Sequence, residues 1–132
     1  MTTQDIPLVA PEGFSIPEFL VFRELERRGF QHNVDFSFQS RFFGGRLDKG
    51  GLVVDFTFAN PPDLAINVQG VFYHYEQGIE QKASDILSAI QIAAQGITLI
   101  FIDDNHVLED VQFYVGAALE YKDYSQAVRG FA

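Results

Sequence analysis

The chain has no cysteine. That excludes a disulfide framework and a thiolate metal site, and it suits a reducing compartment. Positive charge is scarce as well: nine Lys and Arg stand against eighteen Asp and Glu, for a net charge of −9. Such a balance argues against coating nucleic acid through bulk electrostatics. No apolar run approaches the length of a membrane span. Residues 1–13 are polar, acidic and Pro-containing, unlike a secretory signal. The expectation is a cytoplasmic protein, or one carried in a particle made there, with no membrane partner. Repeats, low-complexity tracts and linkers are missing too, so 132 residues should form one domain. Two common chemistries lack their residues. No Ser-His-Asp grouping stands out, and Gly44-Gly45 is not followed by the Lys-Ser/Thr of a phosphate-binding loop.

What is present is apolar and aromatic. Hydrophobic residues make up 47% of the chain and Phe occupies 14 positions, enough for a real core. Ser15-Ile16-Pro17-Glu18 is a capping box with Pro in the first turn, which predicts a helix ending near Gly29 with Phe19, Phe22 and Leu25 on its apolar face. An extended segment follows over 30–43, then strands over 52–58 and 64–70 around an Asn-Pro-Pro-Asp turn. Ile79, Ala83, Ile86, Leu87, Ile90 and Ala94 recur at helical spacing between 77 and 95. The apolar run 97–102 reads as a strand covered on both faces. A last helix is expected over 106–121, with Val107, Val111, Val115 and Leu119 on one side. Three strands, a crossover helix and a fourth strand imply an α/β domain with a mixed sheet flanked by helices.

The stretch GLVVDFTFANPPDLAINVQGVFYHY, residues 51–75, carries the functional signal. Strand interiors select against Asp and Asn, yet Asp55 lies within one strand and Asn67 and Gln69 within the next. Alternation puts Leu52, Val54, Phe56 and Phe58 on one face and Asp55 on the other. It likewise separates Leu64, Ile66 and Val68 from Asn67 and Gln69. If the apolar sets share the core, Asp55, Asn67 and Gln69 converge on the opposite face. Oxygen-bearing side chains so placed suit a hard cation such as Mg²⁺.

The order αβββαβ, an acid on the first helix, Asp in the second strand and a spaced pair in the third resemble the PD-(D/E)xK nuclease superfamily. The stretches GGRLDKGGLVVDF and INVQGVFYHY are most similar to its small Holliday-junction-resolvase-like and very-short-patch-repair-like branches, common in phages. The resemblance covers residues 15 to about 120. It implies a restriction-endonuclease-like αβββαβα fold over 15–121, with an N-terminal arm over 1–14 and a C-terminal tail over 122–132. It also implies a metal-dependent DNA endonuclease using Mg²⁺ or Mn²⁺. On this reading Glu18 matches the helix acid, Asp55 the central metal ligand, Asn67 the second acid and Gln69 the usual lysine. The Val68 carbonyl completes the metal set, His74 takes an accessory place, and Arg27, Arg46 and Lys49 approach DNA phosphates.

Most members carry Glu or Asp where this chain has Asn67, and Lys where it has Gln69. The alternative is therefore a catalytically inactive nuclease fold used for binding or assembly, such as a phage structural component. Each residue also has a plainer reading. Glu18 is equally the acid of the capping box, Asn67 and Gln69 can bond each other or a loop, and His74 can be a packed or solvated histidine. Asp103-Asp104 resembles a metal pair but lies where it would cap a helix. Asp85 and the Arg23, Arg27, Arg28 group read as solvated helix faces. Asp55 reads as a buried charge with little compensation, so Asp55→Ala in an inactive fold would stabilise the chain. Phe36, Phe38, Phe42 and Phe43 exceed the needs of one small core, which predicts a homo-oligomer or larger assembly burying part of 36–43.

Overall fold

Helix α1 (Ile16–Arg27) starts as its sequence dictates. In the computed structural model, which describes residues 9–42, 52–70, 87 and 89–126, the Ser15 hydroxyl accepts the Glu18 N–H at 3.2 Å. The Glu18 carboxylate accepts the Ser15 N–H at 2.8 Å in return. Gly29 then turns the chain out of the helix at φ +96°, a left-handed conformation that favours glycine. The buried stripe is Leu20, Val21, Glu24 and Leu25, one step round from the expected Phe19-Phe22-Leu25 face. Phe22 packs against this core too, and with Phe19 it joins an aromatic group. Phe14 lies edge-on to both and stacks on Phe38 with centroids 4.3 Å apart.

Strands β1 (Phe36–Phe42), β2 (Leu52–Phe58), β3 (Leu64–Gln69) and β4 (Thr98–Asp103) form one sheet in that spatial order. β1–β2 and β2–β3 are antiparallel, whereas β3–β4 is parallel, so the sheet is mixed. A parallel step needs a crossover, and helical residues 87 and 89–93, the described part of α2, precede β4. Helix α3 (Asp104–Leu119) follows β4 directly. The result is a single α/β domain with a four-stranded mixed sheet and helices.

Two apolar clusters lie on opposite faces of the sheet. Leu64, Ile66, Ile100 and Ile102 join Leu20 and Leu25 of α1 and Val107 and Val115 of α3. Ala65, Leu99 and Phe101 join Ile92 of α2. β4 is thus covered on both sides, as its unbroken apolar run predicts. Phe36 is buried inside this one chain against Phe22, Phe56 and Phe58. Of the expected α2 stripe, Ile79, Ala83 and Ile86 lie outside the described residues, and Leu87 and Ile90 are exposed, whereas Ile92 is buried. Ala89 and Ile92, three residues apart on one helix face, meet the sheet and rotate Leu87 and Ile90 away.

α3 is broken where the sequence reads as continuous. Asp110 has φ −160° and ψ 83° inside it, and the Asp110 carboxylate accepts the Phe113 N–H at 3.1 Å. Asp110 therefore caps a second helical piece. Val107, Val111 and Val115 are buried on one side as expected. The His106 and Tyr114 rings, on either side of the break, stack at 4.3 Å. Residues 121 and 123 are tied back to the sheet: the Tyr121 hydroxyl donates to Asp63, and Asp123 accepts the Phe101 N–H of β4.

Candidate functional site

The backbone ladder between β2 and β3 runs through Thr57–Ala65 and Phe56–Ile66. The next rung would set Asp55 opposite Asn67, and there side chains take over from backbone. The Asp55 N–H donates to Asn67 Oδ1 at 2.8 Å, and the Val68 N–H donates to Asp55 Oδ2 at 2.8 Å. The two strands are clasped by reciprocal side-chain bonds, one of them charge-assisted. This answers why Asp and Asn occupy strand interiors: each replaces a carbonyl the ladder no longer supplies. It also corrects the expectation of a poorly compensated Asp55, since a half-buried carboxylate here holds a backbone donor.

Side-chain alternation changes across Asp55. Phe56 and Phe58 pack beneath α1 and α3, whereas Val54 packs with Ala65, Ile92, Leu99 and Phe101 on the other face. Strict parity had Val54 beside Phe56. On β1, the rung between Phe38–Phe56 and Ser40–Val54 is missing, and Gln39, which would fill it, has φ +57°. That left-handed conformation is uncommon for a non-glycine residue, and it marks a local twist at Asp55.

Asn67 and Gln69 alternate with Ile66 and Val68 and so share the face of Ala65. Gln69 is buried and stands in register with Asp103 of β4. An extended residue points its N–H and C=O to the same neighbour, so the Val68 carbonyl also faces β2. The Asp55 carboxylate, the Asn67 amide oxygen and the Val68 carbonyl are therefore the hard oxygens gathered here. By donor type they are one carboxylate and two neutral oxygens. Among the described residues no three His, Cys, Asp or Glu group together as a metal site.

Glu18 is held in the capping box. Arg27 forks onto Glu24 through Nε at 2.8 Å and Nη2 at 2.6 Å, and Arg28 Nε reaches the same carboxylate at 2.7 Å. Burial alone would raise the Glu24 pKa, but these two guanidinium partners outweigh it and hold the carboxyl below its usual range. Arg28, exposed as expected, also donates to the Gln112 carbonyl of α3 at 2.8 Å and so ties two helices. His74, Arg46, Lys49 and Asp85 lie outside the described residues.

No family model, curated protein or solved structure matches this chain. The site therefore rests on its own geometry.

Sequence reasoning took Asp103, with Asp104, for a helix cap. Asp103 occupies the N-cap position of α3 but makes no side-chain cap bond. It is 1% exposed, and its Oδ2 accepts the Gln126 N–H at 3.0 Å while Oδ1 has no hydrogen-bond partner among the described residues. Burial raises its pKa; the Gln126 N–H and His106 oppose that rise, and Asp123 and Asp104 add to it. An acid after an apolar strand and before a helix reads as a cap. Only the course of residues 121–126 turns it inward, and nothing local in the sequence signals that course.

Proposed function

We propose that the chain is a nuclease-type domain in which the clasp between β2 and β3 forms a weak divalent-cation site acting on DNA. The juxtaposition of Asp55, Asn67 and Val68 where the ladder stops carries this reading. On it, the Asp55 carboxylate and the Val68 carbonyl would hold Mg²⁺ or Mn²⁺, with Glu18 as an outer acid. The bound ion would supply activation of water and charge stabilisation at a scissile phosphate. Asn67 fixes the Asp55 backbone and so orients the carboxylate. Gln69 carries no positive charge towards a phosphate, which keeps the expected rate low. Arg27, Arg46 and Lys49 would steer the DNA backbone. The restriction-endonuclease-like likeness, a phage or cytoplasmic setting and a homo-oligomeric working form belong to the same proposal.

One observation favours a second reading. Asp55 Oδ2 and Asn67 Oδ1 are each already occupied by a backbone N–H, so both side chains serve the sheet itself. In this reading the fold is catalytically inactive and used for binding or assembly. Cleavage of four-way and linear DNA with Mg²⁺ or Mn²⁺ separates the two. Metal-dependent cleavage lost in Asp55→Ala, and raised by Asn67→Glu through the added carboxylate, supports the nuclease. Absence of cleavage by wild type and by Asn67→Glu alike refutes it.

A further inference from the structure

The outer edge of β4 is closed in an unusual way. The Thr98 N–H donates to the Asp63 carbonyl at the start of β3, so Thr98, Ile100 and Ile102 turn their backbone groups inward. Leu99, Phe101 and Asp103 turn theirs outward. An edge of this kind, within the apolar run Leu99-Ile100-Phe101-Ile102, is a template for pairing with another strand. Residues 121–126 run beside it without forming a backbone ladder among the described residues. Instead, the Phe101 N–H donates to Asp123 Oδ2 at 2.8 Å, and the Gln126 N–H donates to Asp103 Oδ2 at 3.0 Å. The far end is fixed by the Tyr121 hydroxyl on Asp63 Oδ1 at 2.5 Å, with Tyr121 itself at φ +63°.

Asp123 is the centre of this segment. Its Oδ1 accepts both the N–H and the hydroxyl of Ser125, a residue only 1% exposed, while Oδ2 reaches across to β4. One carboxylate therefore shapes the segment and occupies the one outward donor at the middle of the strand. Side-chain acceptors blunt an edge but do not propagate a sheet. The segment also rests Tyr124 on Phe113 and Tyr114, and none of its bonds to β4 belongs to the β3–β4 ladder.

We propose that residues 121–126 are a strap latched by Asp123, and that its release lets the β4 edge pair antiparallel with β4 of a second copy of this chain. The edge suits that partner. Thr98–Ile102 carries no charge, is rich in β-branched and aromatic residues, and is self-complementary about a two-fold axis. Asp103 ends the run and limits pairing to about five residues. The strap is independent of whether the fold cuts DNA.

The test uses the full chain with Asp123→Ala, read by residue-resolved amide hydrogen exchange and by light scattering across protein concentration. The expected result is Phe101 amide exchange roughly tenfold faster or more than in wild type at low concentration, from loss of a charge-assisted bond. At high concentration the molar mass should double relative to wild type and the Phe101 amide should become protected again. Unchanged Phe101 exchange overturns the latch, and fast exchange without a doubled mass overturns the second-copy pairing. Should Asp123→Ala fail to fold, Tyr121→Phe cuts the far end of the strap and leaves Asp123 in place. It should accelerate Phe101 exchange several-fold, and no acceleration there overturns the proposal.

Discussion

Asp103→Asn should make the protein more stable at neutral pH and change the shape of its pH dependence. Asp103 is enclosed, one oxygen is served by Gln126 and the other by none of the described residues. Its folded pKa is raised above the unfolded value near 3.9, chiefly by burial. A carboxyl raised in the folded state binds more protons there than in the unfolded chain. Its contribution is therefore fully present below the unfolded pKa and is lost as pH rises through the folded one. Asn is neutral at every pH and keeps an acceptor for the Gln126 N–H, so the substitution removes this loss. Its amide N–H₂, set where Oδ1 lacks a partner, takes back part of the gain, leaving about 1 kcal/mol at pH 8. Urea unfolding of both proteins from pH 3.5 to 8 measures it. The difference should be near zero at the acid end and grow in favour of Asp103→Asn as pH rises. A difference that is flat with pH, or that favours wild type at pH 8, refutes the reasoning.

Asp55→Ala should destabilise by about 1–2 kcal/mol in urea unfolding, because it strands the Val68 N–H inside the β2–β3 clasp; a gain in stability would contradict the clasp. Glu24→Ala should cost a similar amount, because Glu24 is buried with Arg27 and Arg28 on it. Its lowered pKa gives stability that is present above the unfolded carboxyl value and lost as pH falls through the folded one, the opposite slope to Asp103. Thermal melts at pH 3 and 7 should show the Glu24→Ala deficit shrinking in acid. Ser15→Ala should cost about 1 kcal/mol as a lost N-cap, whereas Glu18→Gln should leave stability nearly unchanged, since Gln also completes a capping box. Calorimetric titration of Glu18→Gln with Mn²⁺ then tests any metal role apart from folding.

Local rules made most of the fold legible. A capping box, a glycine stop, a Pro-Pro turn and an unbroken apolar run located α1, β2, β3 and β4 almost to the residue. Two features escaped, one decided by tertiary context and the other by a local side-chain bond three residues long. The α1 stripe moved by one position once Phe14 collected Phe19 and Phe22, and α3 broke because Asp110 competed for the Phe113 N–H. The site was legible in its residues but not in its bonds. Parity foresaw Asn67 and Gln69 on one face, yet nothing local revealed that Asp55 would turn into the strand gap opposite a left-handed Gln39. Asp103 was misread because its partner, Gln126, lies 23 residues further along the chain.

The break in α3 has a mechanical side. On an uninterrupted helix His106 and Tyr114 would sit eight residues apart, about 12 Å along the axis by a rise of 1.5 Å per residue. Their rings instead lie flat together, with planes only 3° apart. The bend at Asp110 and the ring stack are therefore one object, like a folded spring held by its own clip. Straightening the helix must pull the rings apart. It would also move Gln112, which Arg28 grips from α1. Strain entering at either end of α3 thus reaches α1 through the Arg28 guanidinium as well as through the apolar contact of Leu20 and Leu25 with Val107 and Val115.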